Sequence, residues 1–232
     1  MTYKSLKLNV LNCALACIFL SLAACSPDND AKVNHKKKTE PASTPKYLNE
    51  FETWKKSQDQ QLLLDYQNYF KGKVKQVPTL YELTLNSHPL KAECLQHRFS
   101  LPPKKLWGNL IKPLQLIEHL QEQKYFAHYK IVSVYRSREA NTCVLGAKAS
   151  KHLYNFAVDF QTLDEEKKPY QNHDEVDQRL CEFWHKQGRK HQLGLGLYSK
   201  QRFHIDTQSY RTWGIGYRSA TSPCLKPRKD EK

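Results

Sequence analysis

The chain has 232 residues, with 37 Lys+Arg against 23 Asp+Glu for a formal charge of +14, and seven cysteines. So basic a balance attracts polyanions, yet the positive charges are scattered and no nucleic-acid-binding motif is visible, which argues against a nucleic-acid-binding role. Anionic cell wall and anionic lipid fit better as partners, and a merely solvated basic surface is the simpler alternative.

At the amino terminus Lys4 and Lys7 precede an apolar stretch, Leu8 to Leu22, that contains no acidic residue. The stretch is too short and too quickly ended to span a membrane comfortably, and reads as a signal peptide over residues 1–24. It closes in Leu22-Ala23-Ala24-Cys25, which resembles the lipobox of bacterial lipoproteins, where Cys25 becomes the lipidated first residue. A plain secretory signal with Cys25 as a bystander is the alternative. Ser26 rather than Asp follows, favouring an outer-membrane lipoprotein of the bacterial cell envelope that faces the periplasm. Loss of residues 1–24 takes Lys+Arg from 37 to 35 against 23 Asp+Glu, leaving +12. Residues 25–46 offer almost nothing apolar to bury, so a disordered tether is expected there.

The remainder suits one domain with an appended helical segment. Over residues 47–105, a helical lead-in, the spaced aromatics Phe51, Trp54, Tyr66 and Phe70 indicate one or two helices, and Pro78-Thr79 starts another. Leu114, Ile117 and Leu120 recur at helical spacing after Pro113, a good first-turn residue. Ile131 to Tyr135 is a β-branched strand. Asp174 is expected to cap a helix carrying Val176, Leu180, Phe183 and Trp184, with Gly188 ending it. Cys13 and Cys17 leave with the signal and Cys25 takes lipid. Cys94, Cys143, Cys181 and Cys224 then form two disulfides, with three connectivities open.

The chemistry concentrates in Ala149-Ser150-Lys151-His152-Leu153-Tyr154-Asn155-Phe156-Ala157-Val158-Asp159-Phe160 and in Arg202-Phe203-His204-Ile205-Asp206-Thr207. Side chains two apart on a strand share a face. Phe156, Val158 and Phe160 fall on one face of the first strand and Asp159 on the other. Phe203 and Ile205 are apolar, leaving His204 and Asp206 together. Two neighbouring strands would bury the aliphatic faces and present Asp159, His204 and Asp206 to a shared cleft, with His152 swinging in from the preceding loop. His152, Asp159 and His204 are then three protein ligands for a catalytic zinc with the fourth position open. Two ordinary half-buried strands with polar outer faces are the simpler reading. His173, His185 and His191 have no partner at a metal spacing. Trp184 is expected in the core, and Trp213 there or walling the cleft.

Ser150-x-His152, Ala157 with Asp159 seven residues after the His, and His204-x-Asp206 make a recognisable set. With it go Ser133-Val134-Tyr135-Arg136-Ser137 through Asn141, Gly194-Leu195-Gly196-Leu197-Tyr198, and Tyr210-Arg211-Thr212-Trp213-Gly214. In this order they resemble the zinc D-Ala-D-Ala carboxypeptidases and murein endopeptidases, which share a fold with the Hedgehog signalling domain. The resemblance covers residues 106–220, with 221–232 a basic tail and 47–105 similar to the lead-in of lipoprotein members. It implies an α+β fold, an antiparallel sheet with flanking helices, and zinc on His152, Asp159 and His204. It also implies that Arg136 holds the substrate carbonyl or its oxyanion, and that Ser150 lines the pocket and contacts the peptide. The implied substrates are D-amino-acid peptide bonds of peptidoglycan. The expected partners are peptidoglycan peptides and, through Cys25, a membrane; no nucleic acid is expected, and the chain is expected to be a monomer.

Two positions depart from the pattern. The Gly usual three residues after the signature His is Asn155, a residue that also tolerates unusual backbone angles. The carboxylate that many members carry as general base three residues before the last His is Gln201, and an amide cannot accept a proton from water at neutral pH. Asp206 is the substitute base, or else it orients His204 from behind. A zinc-containing peptidoglycan-binding protein without turnover is therefore the alternative function, and a structural scaffold that recruits a partner through 47–105 a further one.

Overall fold

A computed structural model describes residues 45–198 and 201–226. The signal peptide, the lipidation at Cys25, the tether up to residue 44 and the last six residues of the basic tail lie outside the described residues.

The lead-in folds as α1 (Leu48–Lys56), α2 (Gln60–Tyr69) and α3 (Leu80–Thr84). Asp59 caps α2 by accepting from the Leu62 amide, and Thr79 with Glu82 makes a reciprocal capping box on α3. Helix α4 (Ile111–Glu122) follows a 3₁₀ stretch and places Pro113 in its first turn. Strand β1 (His128–Ser133) begins three residues before the β-branched run that announced it. After α5 (Arg138–Cys143) come β2 (Ala157–Leu163), α6 (His173–Gln187), β3 (Gly194–Leu197), β4 (Arg202–Asp206) and β5 (Arg211–Trp213). Asn172, not Asp174, caps α6, its side chain accepting from the Asp174 amide.

The five strands form one sheet in the order β1-β2-β4-β3-β5. The first four pair antiparallel, but β5 runs parallel to β3, so the sheet is mixed rather than wholly antiparallel. A short return through Ser209 and Tyr210 carries the chain from β4 past β3 to the edge. Val158, Phe160, Phe203, Ile205, Leu195 and Leu197 turn one face of this sheet into the core. They join Leu114, Ile117 and Leu120 of α4, Val176, Leu180 and Phe183 of α6, and Tyr66, Phe70 and Leu83 of the lead-in. Each large apolar side chain buried this way is worth about 1.5–3 kcal/mol; α2 and α3 of the lead-in thus share the core of the sheet, while Phe51 of α1 packs with Leu85 and Phe99 in a smaller cluster of its own. The opposite face keeps the polar residues.

Among the three possible pairings the disulfides are Cys94–Cys143 and Cys181–Cys224. The first ties the 3₁₀ turn Ala92–His97 of the lead-in to the end of α5, and the second ties α6 to the carboxy-terminal turn Pro223–Leu225. No helix among the described residues is long and apolar enough to cross a membrane.

Candidate metal centre

Register brings the site together. Asp159 on β2 pairs directly with His204 on β4, and His204 pairs in turn with Gly196 on β3. His152 reaches the same point from a 3₁₀ turn, Lys151–Tyr154, that reverses at Asn155. Asn155 has φ 57°, the left-handed conformation that a glycine would supply most easily, and asparagine is the next most tolerant residue there. Its side chain ties this turn to Leu106 O at 3.1 Å.

The tautomers of the two histidines follow from their outer partners. His152 Nδ1 donates to the Val134 carbonyl, which can only accept. His204 Nε2 lies 3.1 Å from Asp206 Oδ2 and donates to it. Both rings therefore turn a bare nitrogen inward, His152 Nε2 and His204 Nδ1, toward Asp159 Oδ1. The separations are 3.1 Å from His152 to Asp159, 2.9 Å from His204 to Asp159 and 3.1 Å between the two nitrogens. Three electron-pair donors so close and so buried repel one another unless a proton or a cation lies among them. They are the group among the described residues able to hold a metal ion, and two imidazoles with a carboxylate suit zinc. The donor set fits the ion.

The surrounding residues are fixed with equal care. A bulge between Ile131 and Ser133 re-aims the end of β1, so that the Val134 carbonyl meets His152 and the Arg136 amide bonds to His152 O at 3.1 Å. Arg136 is 5 % exposed; its Nη2 donates to Ser150 Oγ at 3.1 Å, its Nη1 lies 3.3 Å from His88 Nε2, and its Nε has no partner. Its fork therefore meets neutral groups rather than a carboxylate. Arg202 on β4 donates to Asp159 Oδ2 at 3.1 Å. Trp213 leans on the His204 ring at 5.0 Å and donates to the Tyr198 hydroxyl at 2.8 Å, so it walls the site rather than filling the core.

Of the two roles open to Asp206, substitute base or a residue that orients His204, its surroundings favour the second. It shares the face of His204, but it is fully buried behind that ring, and Arg211 grips its two oxygens at 3.0 and 2.6 Å. Burial alone would raise its pKa, but His204 and Arg211 outweigh that and lower it. A carboxylate so engaged is placed to orient His204 and not to take a proton from the cleft. Gln201 is no nearer to the role. It is 3 % exposed and has φ 53°, and its amide donates to Tyr170 O at 2.6 Å.

Small residues make room for this arrangement. Ala157 and Gly194 flank Asp206 on either side, and a Cβ on Gly194 would meet Asp206 Oδ2 at 2.5 Å and Arg211 Nη1 at 2.6 Å. Gly194→Ala should therefore displace the carboxylate that orients His204 and weaken metal binding about 10–100-fold, as loss of an outer partner does. Titration against a chromophoric chelator measures it, and unchanged affinity would show that the added Cβ does not displace Asp206 from His204.

Protonation in the absence of metal follows the same contacts. Burial, and after it the Arg136 charge, holds His152 down at about 3. Burial would lower His204 too, but its bonds to Asp159 and Asp206 prevail and raise it. Asp159 lies well below the usual carboxylate range, since the histidines around it outweigh its burial. An unfolded histidine protonates near 6.5. Between pH 6.5 and about 3 the unfolded chain thus binds a proton that folded His152 refuses, and stability is lost as pH falls through that window. His204, raised, contributes with the opposite sign only near the top of that window, while His88 and His191, both lowered by burial, add to the loss. Calorimetry in chelator should show Tm falling from pH 6.5 to 4, where a flat Tm would contradict this burial of a neutral His152.

A family model described as peptidase M15 matches residues 81–203, just over half of the chain. The chain belongs to the peptidase M15 family. Membership makes it one of a metallopeptidase family, whose reaction is hydrolysis, and the His-Asp-His cluster lies where such a peptidase needs its metal. The peptidase M15 match begins in α3, well before the motif-rich region at 106, and ends one residue short of His204. Neither the comparison with curated proteins nor that with solved structures gave a match.

Two residues at the site were not singled out from sequence. Arg202 had a signal, because it lies two residues before His204 on the same strand face. His88 had none: it stands 71 residues before Asp159, yet its Nε2 lies 3.3 Å from Asp159 Oδ2.

Proposed function

We propose that the chain is a zinc-dependent peptidase acting on D-amino-acid-containing peptide bonds of peptidoglycan, as a D-Ala-D-Ala carboxypeptidase or a murein endopeptidase. The observation that carries this reading is the convergence of three bare donor atoms, His152 Nε2, Asp159 Oδ1 and His204 Nδ1, in a chain of the peptidase M15 family. Zinc held there would supply a Lewis acid that polarises a scissile carbonyl and makes water a nucleophile near neutral pH. Arg136 would meet the carbonyl oxygen as negative charge develops on it, and a guanidinium without a carboxylate partner is free for that task. Ser150, which accepts from Arg136 Nη2, would line the site beside it and contact the peptide. The proposal includes export, lipid attachment at Cys25 to the outer membrane, and a monomer facing the cell wall, with no nucleic-acid partner.

A specific observation favours a second reading, a zinc-containing peptidoglycan-binding protein without turnover. Asp206 is held by His204 and Arg211, and Gln201 by Tyr170, so neither position that sequence offers for a base is available. Incubating the purified protein with muropeptides, with and without chelator, and weighing the products separates the two. Hydrolysis suppressed by chelator supports the peptidase and identifies the bond. Retention of muropeptides without products, on zinc-loaded protein, supports the binding protein.

A further inference from the structure

The lead-in does more than pack against the core, because one of its segments extends the sheet beside β1. Leu85 bridges to Phe99, and Asn86 bridges to Ser133. The Ser87 amide donates to Val132 O at 2.9 Å, and the Val134 amide to Leu85 O at 3.3 Å. Arg98, 5 % exposed, clamps this segment by donating from one nitrogen to the carbonyls of Asn86 and His88, each at 2.6 Å. The Cys94–Cys143 disulfide fastens the turn between them to α5, which follows Arg136 directly. A histidine on a segment held at so many points is held for a purpose that surface decoration does not require.

His88 Nε2 stands 3.3 Å from Asp159 Oδ2 and 3.3 Å from Arg136 Nη1. A bare ring nitrogen would repel the carboxylate, which can only accept, so Nε2 carries the hydrogen and donates it to Asp159. Asp159 Oδ2 then has two donors, Arg202 from β4 and His88 from the lead-in, while Oδ1 alone faces the two histidines. A free carboxylate can bind a metal through one oxygen or two, and one whose second oxygen is occupied from both sides binds through one. From this geometry we infer that His88 is a positioning residue of the metal centre: it holds Asp159 as a single-oxygen ligand. The same hydrogen bond leaves Arg136 Nη1 without an acceptor and therefore open to a ligand in the cleft. The inference rests on the metal-site reading above.

The test uses the full protein with Co²⁺ as the probe, its affinity measured by chelator competition and its coordination by the visible spectrum. His88→Ala should bind Co²⁺ about 10–100-fold more weakly, with a fainter visible band as Asp159 brings in its second oxygen and the coordination number rises. His88→Gln, whose amide can still donate to Oδ2, should restore the wild-type spectrum and come within about threefold of its affinity. His88→Leu fills the space without a donor and should behave as the alanine variant does, which guards against a misfolded His88→Ala. Wild-type binding with unchanged affinity and spectrum in His88→Ala and His88→Leu overturns the role of His88 alone. Failure of the wild-type protein to bind Co²⁺ overturns the metal site and the inference with it.

Discussion

Asp159→Asn should leave a protein that binds zinc far more weakly and, at limiting zinc, hydrolyses no muropeptide. The substitution keeps shape and volume while removing the one negative charge that faces both inward nitrogens. Binding energies of about 10–16 kcal/mol for four-ligand zinc sites apportion to roughly 2.5–4 kcal/mol a ligand. Losing the anionic ligand should therefore weaken binding by a factor of at least about 10²–10³. A second loss is structural, because Arg202 and His88 are anchored on the other carboxylate oxygen. Removing one partner of a buried pair costs about 3–5 kcal/mol, so the metal-free variant should also melt lower than the metal-free wild type. Metal content after dialysis and calorimetry in chelator measure the two effects separately. A zinc affinity unchanged from the wild type, measured by chelator competition, would exclude this residue as a ligand.

Arg136→Lys should act in the opposite pattern, with metal retained and turnover lost. The lysine keeps a positive charge but has no planar fork to span Ser150 Oγ and a substrate oxygen together. Removing a donor to a developing oxyanion costs about 10²–10³ in rate, and that loss is expected in kcat, with KM for a muropeptide changed far less. Zinc affinity should remain within a few-fold, since Arg136 touches no donor atom of the cage directly. A normal kcat would remove Arg136 from the reaction, and lost zinc would make it a structural support of the site instead.

Strand alternation was enough to bring Asp159 and His204 to one face, because Phe160, Phe203 and Ile205 leave no other way to bury the sheet. The same alternation placed Asp206 beside them but could not say what it would touch. The role of Asp206 depends on Arg211, which arrives only because β5 runs parallel to β3 at the edge, a pairing that local pattern does not encode. Gln201 drew attention by its spacing from His204. Its left-handed backbone and its bond to Tyr170 carry the side chain into the protein, where spacing along a regular strand no longer applies. Asn155 was legible, since a residue tolerant of positive φ stands where a glycine was wanted. His88 was not, for its position is fixed by a bridge to β1 and by the buried Arg98, contacts that exist only once the chain has folded.

Zinc-edge X-ray absorption on the purified, zinc-loaded protein reads whether His152, Asp159 and His204 hold zinc together. Close to one zinc per chain is expected, with two imidazole nitrogens and carboxylate oxygen at about 2.0–2.2 Å and no sulfur shell. Zinc far below one per chain, a single imidazole, or sulfur scattering near 2.3 Å would contradict it.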